Sequence, residues 1–246
     1  MYVKSVCAKL LWFFAAAAIF TACGAIAGGD EVSGYPDIDL GAAVEVYAET
    51  SQRDLHLHLF FPEDPAEASP AVLFFHGGGF ASTRVEQFER QAQLAAEAGV
   101  VGVVVEYRVT AEGSTRDDAV ADGATALGYV LENAGQLGID PERVAMAGSS
   151  AGGALATEAS RGAHALVLFN PAVNASSAPF ASTLPTIVFH SREDTIVPFD
   201  AAVGFCDAAI SCELVAFDEG DHGFFNDDPA FTETTAAMIT FLNENL

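Results

Sequence analysis

The sequence contains no lysine beyond residue 9. Lys4 and Lys9 both fall within the first 27 residues. The rest of the chain sets 8 arginines against 34 acidic side chains, a formal charge of 8 − 34 = −26. Such a field repels phosphate backbones and anionic bilayers, which excludes nucleic acid and bare membrane surfaces as partners. A saline medium, whose ions screen self-repulsion, fits this charge, and so does an acidic bias with no function of its own. Long apolar runs are missing too. After residue 25 no unbroken hydrophobic stretch approaches the roughly 20 residues of a membrane-spanning helix. Cysteine is scarce: there are four, and with Cys7 and Cys23 in the first 27 residues only Cys206 and Cys212 remain. What is present is a 246-residue chain, 51% hydrophobic and 18% charged, a balance that excludes disorder and suits one domain with a substantial core.

Residues 1–27 read apart from the rest. Lys4 and Lys9 flank the start of an apolar stretch from Leu10 to Phe20, and small residues follow, as in an export signal. Two processing routes fit. Phe20-Thr21-Ala22-Cys23 is similar to a lipobox, with Phe20 where Leu is usual, and would make Cys23 a lipidated N-terminus, the one route by which this chain would meet a membrane. Ala25-Ile26-Ala27 is an ordinary small-x-small cleavage site. The expectation is an exported protein, whether periplasmic, secreted or an outer-membrane lipoprotein. In an oxidising compartment Cys206 and Cys212 are then expected to pair and close a seven-residue loop.

Residues 28–42, rich in Gly and Asp, predict an irregular linker, and residues 43–246 one domain. Val44–Tyr47 and Leu55–Leu59 alternate apolar and polar residues, as half-exposed antiparallel strands do. Ala71–Phe75 is a continuous apolar run, as in a strand buried on both faces. Helical and strand patterns then take turns: helix over Val85–Ala98, strand over Val100–Glu106, helix over Thr115–Leu137, strand over Arg143–Ala147 and helix over Ala151–Ala159. Strands at Ala165–Phe169, Thr186–His190 and Glu213–Phe217 follow, with helices at Phe199–Ala209 and Phe231–Leu242. This order predicts an α/β class: a mostly parallel sheet with helices on both faces.

Three motifs carry chemistry. Gly148-Ser149-Ser150-Ala151-Gly152 lies between a predicted strand and a predicted helix. A Ser at the centre of such a turn is lifted above the sheet, and the helix behind it aims free amides and a positive dipole end at the site. His76-Gly77-Gly78-Gly79 directly follows a strand, and a glycine run there exposes backbone N–H groups where a carbonyl oxygen becomes negative. The expected donors are Gly78, Gly79 and Ala151, with His76 bracing the loop rather than acting as a base. The third motif is the acid and base after the serine. His222, in Asp221-His222-Gly223-Phe224 after the last strand, is the expected base. Asp194, four residues past the strand at Thr186–His190, is the expected acid. Glu193 is its neighbouring rival, and His190 and Asp221 are less well placed.

Together HGGGF, GSSAGG, the Asp194 loop and HGFFN resemble bacterial α/β-hydrolases of the acetyl-xylan esterase or lipase type, including feruloyl-esterase-like proteins. The likeness runs from about Val44 to the end of the chain through LHLHLFFPED, VVEYRV, LGIDPERVAMAGSSAGG and the cysteine-bearing FCDAAISCELVAF. It implies the α/β-hydrolase fold and a serine esterase that needs no metal and no cofactor. The triad would be Ser150, Asp194 and His222. One departure is Ala81-Ser82-Thr83 after HGGGF, where a Gly-containing stretch is usual. Between the strands at Ala165–Phe169 and Thr186–His190 only Asn170–Pro185 intervenes, too short for a large cap domain. An open site of that kind suits short acyl groups on bulky alcohols, acetylated carbohydrates among them. The same residues would also serve a serine peptidase or amidase, and an exported binding protein without activity is the alternative from another class.

Overall fold

The two stretches that alternate apolar and polar residues form the antiparallel edge of one eight-stranded sheet. The computed structural model describes residues 38–181 and 183–246. The predicted export signal (1–27) with Cys23, and linker residues 28–37, lie outside the described residues. β1 (Ala43–Glu49) pairs antiparallel with β2 (Asp54–Phe60), and β2 antiparallel with β4 (Val101–Val105). The other pairings are parallel, through β3 (Ser69–Phe75), β5 (Ile139–Ser149), β6 (Ala165–Phe169), β7 (Thr186–Ser191) and β8 (Cys212–Phe217), in the order β1-β2-β4-β3-β5-β6-β7-β8.

The continuous apolar runs are the inner strands. Successive residues point to opposite faces, so a strand covered on both sides needs no polar alternate. Leu73, Phe75, Val103, Met146, Leu168 and Val188 belong to the core on one face, and Phe74, Val104, Ala147, Val167, Phe169 and Phe189 to the core on the other. The helices α2 (Arg116–Glu132), α4 (Ser150–Glu158) and α6 (Phe199–Ala208) add Leu127, Leu155 and Phe205 to the first core. From α1 (Glu89–Glu97) and α7 (Ala230–Asn245) come Ala92, Met238 and Leu242 in the second. Burial of each large side chain contributes about 1.5–3 kcal/mol, which docks the helices on the sheet.

Several boundaries differ from the sequence expectation, each for a local reason. The helix expected over Val85–Ala98 begins as a 3-10 turn at Val85–Phe88 before α1. The stretch expected over Thr115–Leu137 breaks after α2, where the Asn133 side chain takes the Tyr129 carbonyl, and resumes as α3 (Ala134–Leu137) until Gly138 turns left-handed. Strand β5 pairs from Ile139, ahead of the expected Arg143. The Asp140-Pro141-Glu142 turn interrupts that pairing, with the Asp140 carboxylate accepting the Glu142 N–H at 3.0 Å. The last linker residues are irregular, yet Leu40 is buried in the second core and ties them down.

Between β6 and β7 the described residues form only a 3-10 turn at Ala175–Ser177 and one helical turn, α5 (Ala178–Ala181). Val173, Ala178 and Ala181 pack into the first core, which ties the segment to the body. Cys206 in α6 and Cys212 at the start of β8 face each other with 5.1 Å between Cα atoms, within bridging range.

Candidate active site

Ser150 stands where β5 gives way to α4, with φ +51°. A non-glycine residue in the left-handed region costs roughly 1–3 kcal/mol, and persists only where its surroundings hold it. The glycines around it make that turn feasible. A Cβ on Gly148 would lie 2.3 Å from the Gly152 carbonyl oxygen, and one on Gly152 would lie 2.2 Å from the Phe75 carbonyl oxygen. The backbone of the serine turn is therefore pressed against the end of β3, where the glycine loop begins.

The structure brings Ser150, His222 and Asp194 together. The His222 Nε2 lies 2.9 Å from the Ser150 Oγ, and its Nδ1 lies 2.6 Å from an Asp194 carboxylate oxygen. The other Asp194 oxygen accepts the backbone N–H groups of Ile196 at 2.8 Å and Val197 at 2.9 Å. The Asp194 side chain is fully buried, whereas His222 keeps partial access to solvent. An accepting carboxylate on that side fixes the Nδ1–H tautomer and leaves Nε2 as the acceptor facing the serine hydroxyl. The aromatic pair after His222 anchors its loop: Phe224 and Phe225 are buried, and Phe225 packs on Phe169 with ring centroids 4.8 Å apart. Glu193 is exposed, and the Asp221 carboxylate turns back to the Gly223 N–H at 2.7 Å, so neither reaches the imidazole.

The glycine loop wraps over the same spot. Gly78 has φ +123° and Gly79 φ +64°, and a Cβ on Gly78 would meet the Ser82 carbonyl oxygen at 2.5 Å. The Gly78 carbonyl accepts the amides of Ala81 and Ser82, which turns the Ala81-Ser82-Thr83 segment back on the loop. Among the described residues the amides of Gly78, Gly79 and Ala151 make no hydrogen bond, and Ala151 sits in the first turn of α4, where no partner exists within the helix. His76 braces the loop: its Nδ1–H donates to the Gly77 carbonyl at 2.6 Å, and its ring stacks on Tyr107. Burial pulls the His76 imidazole down to about 4, with the charges of Arg53 and Arg84 adding to the drop against the Gly77 hydrogen bond and Glu106, so the ring is neutral at pH 7.

Three residues of the site carry no sequence signal of their own, and a fourth, His190, takes a place other than the base. Gln87 accepts the Gly77 N–H at 2.7 Å and the Ser149 hydroxyl at 3.0 Å on one side-chain oxygen, tying the glycine loop to the serine turn. Tyr107 donates its hydroxyl to the His76 carbonyl at 2.7 Å. Asn170, at the end of β6 with φ +39°, donates its side-chain amide to the main-chain carbonyl of His222. His190, set aside as a base, lies on the far side of Asp194. Its Nε2 is 3.4 Å from the carboxylate and 3.0 Å from the Val197 carbonyl. Burial holds the His190 ring below the usual imidazole range. Among the described residues the non-glycine residues with positive φ are Phe80, Ser150 and Asn170, and all three border this site.

Comparison with known proteins agrees with this fold. A family model described as an alpha/beta hydrolase fold matches residues 72–198. An ethyl acetate hydrolase of Pseudomonas putida is 37% identical over 109 residues, 42% of this chain and 33% of that protein. The carboxylesterase NlhH of Mycobacterium tuberculosis is 35% identical over 101 residues, 41% of this chain and 31% of that protein. The chain thus spans about a third of the length of these curated relatives. Among solved structures, esterase 2 of Thermogutta terrifontis phosphorylated by paraoxon superposes with a TM-score of 0.78 at 32% identity, over 83% of this chain and 94% of that one. The propionate-bound form of the same esterase gives a TM-score of 0.75 at 31% identity, with the same coverage.

Proposed function

The chain belongs to the α/β-hydrolase fold family, and on that premise we propose that it is a serine carboxylesterase working through an acyl-enzyme. The observation that carries this is the continuous contact from Asp194 through His222 to the Ser150 hydroxyl, beside three amides that make no hydrogen bond among the described residues. In this reading His222 Nε2 takes the Ser150 proton as Oγ attacks the ester carbonyl carbon. The carbonyl oxygen becomes an oxyanion held by the N–H groups of Gly78, Gly79 and Ala151, each such donor supplying a factor of about 10²–10³ in kcat. His222 returns the proton to the departing alcohol, and Asp194 holds the ring and stabilises the imidazolium. A water activated by the same imidazole then cleaves the acyl-Ser150 ester, releasing the acid and restoring the hydroxyl.

The substrate reading is a short acyl group on a bulky alcohol, acetylated carbohydrate among the candidates. The short, packed-down segment between β6 and β7 supports it, because it leaves the mouth of the site open. The similar Thermogutta esterase has been seen with propionate and with butyrate bound. We further propose export through residues 1–27, with Cys23 or the Ala25-Ile26-Ala27 site defining the mature N-terminus. Mass spectrometry of the purified N-terminus distinguishes the two.

The test is hydrolysis of 4-nitrophenyl acetate, butyrate and octanoate beside acetylated xylan, for the wild type and Ser150→Ala. Activity on the acetyl esters that vanishes in the variant is the expected result. A folded wild type inert on all four, whose Ser150 takes no fluorophosphonate label, overturns the reading.

A further inference from the structure

Positive charge is rare here, and nearly all of it is committed. Of the eight arginines, five reach a carboxylate within 4 Å and Arg90 lies over the Phe231 ring. Among the described residues only Arg84 and Arg161 have neither kind of partner. Arg161 follows the far end of α4, away from the serine turn. Arg84 adjoins the site through its backbone. It immediately precedes the 3-10 turn Val85–Phe88, and its carbonyl accepts the N–H of Gln87, whose side chain holds Gly77 and Ser149. Its side chain is exposed, and its charge is felt at the buried His76 ring of the glycine loop. With more than four carboxylates for every arginine, a guanidinium that meets no carboxylate among the described residues is open for a partner that arrives with the substrate.

On the proposed esterase reading, we infer that Arg84 is a specificity residue, and that the preferred esters carry a carboxylate close to the scissile bond. A guanidinium presents a rigid fork of donors that matches a carboxylate, and such charge-assisted pairs are about twice as strong as neutral ones. The strongly negative body does not defeat this. At physiological ionic strength charges beyond a Debye length of about 8 Å are largely screened, so an anion in contact with Arg84 feels that group above the distant carboxylates.

The experiment compares each anionic ester with a neutral twin. For the alcohol side the pair is 4-acetoxybenzoate and its methyl ester; for the acyl side it is mono-4-nitrophenyl glutarate and 4-nitrophenyl pentanoate. The quantity read is the ratio of kcat/KM within each pair, for the wild type, Arg84→Gln and Arg84→Lys. The expected result is a ratio that falls about tenfold in Arg84→Gln for one pair, survives in large part in Arg84→Lys, and shrinks in the wild type as salt rises. The pair that responds identifies which side of the ester bears the carboxylate. Equal ratios in all three proteins overturn the role of Arg84 while leaving the esterase reading intact. Inertness toward all four esters together with an unlabelled Ser150 removes both.

Discussion

The side-chain amide of Asn170 donates to the main-chain carbonyl of His222, and so ties the end of β6 to the loop that carries the imidazole. Asn170 holds this pose with its backbone left-handed at φ +39° and its own N–H on the Phe189 carbonyl at 2.7 Å. Loss of the amide frees the His222 loop on one side. Because a displacement of about 1 Å at a reacting group can cost on the order of a hundredfold in rate, Asn170→Gly is expected to lower kcat at least tenfold with KM nearly unchanged. Asn170→Ala should show the same kinetic loss and be less stable than Asn170→Gly by about 1–2 kcal/mol, since a Cβ disfavours the left-handed backbone that Gly tolerates. Steady-state kinetics beside urea unfolding separates the two effects. An Asn170→Gly variant with wild-type kcat would show the amide to be irrelevant to the imidazole.

The close approach of Gly152 to the glycine loop gives a second expectation. A methyl group there would overlap the Phe75 and His76 carbonyl oxygens at 2.2 and 2.3 Å, so Gly152→Ala must push the serine turn and the loop apart. Stability should fall by about 1–3 kcal/mol or more, and activity should fall with it. Gly128, inside α2, has nothing within 4 Å of an added Cβ, so Gly128→Ala should raise stability by about 0.5–1 kcal/mol through helix propensity alone. Thermal unfolding of both variants checks the contrast in sign.

These two glycines also illustrate what the linear chain discloses. Gly148 and Ser150 were legible because the turn they make is local, a Cβ on Gly148 meeting Gly152 within five residues, whereas the constraint on Gly152 comes from Phe75 and His76 of another strand end. Asp194 and His222 were legible at one remove, since each sits just past a strand whose end is marked by a break in hydrophobicity. Asn170 was not, because its role depends on parallel pairing of β6 with β7 and on a loop 52 residues away. His190 sits beside Asp194 on the same strand end, but which flank of the carboxylate each imidazole takes is decided by packing. The expected single helix at Thr115–Leu137 hid a break for a similar reason. Its periodicity continues through Asn133, whose backbone N–H and side-chain amide both donate to the Tyr129 carbonyl where the first segment ends.

His76 makes stability depend on pH. Its ring titrates near 4 in the folded chain against 6.5 when free, chiefly because burial disfavours the charged form. Between these values the unfolded chain binds the proton and the folded chain does not, so stability is full above about 6.5 and is lost progressively as pH falls toward 4. The size of the effect is about 3 kcal/mol. Burial lowers His190 as well, and its contribution has the same sign. Urea unfolding at several pH values across that window should show the decline, and His76→Asn should flatten it while remaining less stable at neutral pH. An equal slope in the variant would assign the pH response elsewhere.

The approach of Cys206 and Cys212 sets the last expectation. Their Cα separation of 5.1 Å permits a bridge between the end of α6 and the start of β8, at one edge of the sheet. The loop enclosed is only seven residues long, so the chain entropy removed from the unfolded state is small, worth about 2 kcal/mol. A bridge of that size trims the freedom of the edge strand without being needed to hold the core, where Phe205, Val188 and Leu168 remain packed. The protein purified from an oxidising compartment should therefore lose about 2 kcal/mol on reduction, and Cys206→Ala, Cys212→Ala and the double variant should each lose about the same amount. Additive losses in the double variant would mean that the two thiols contribute separately, as buried side chains rather than as one bond.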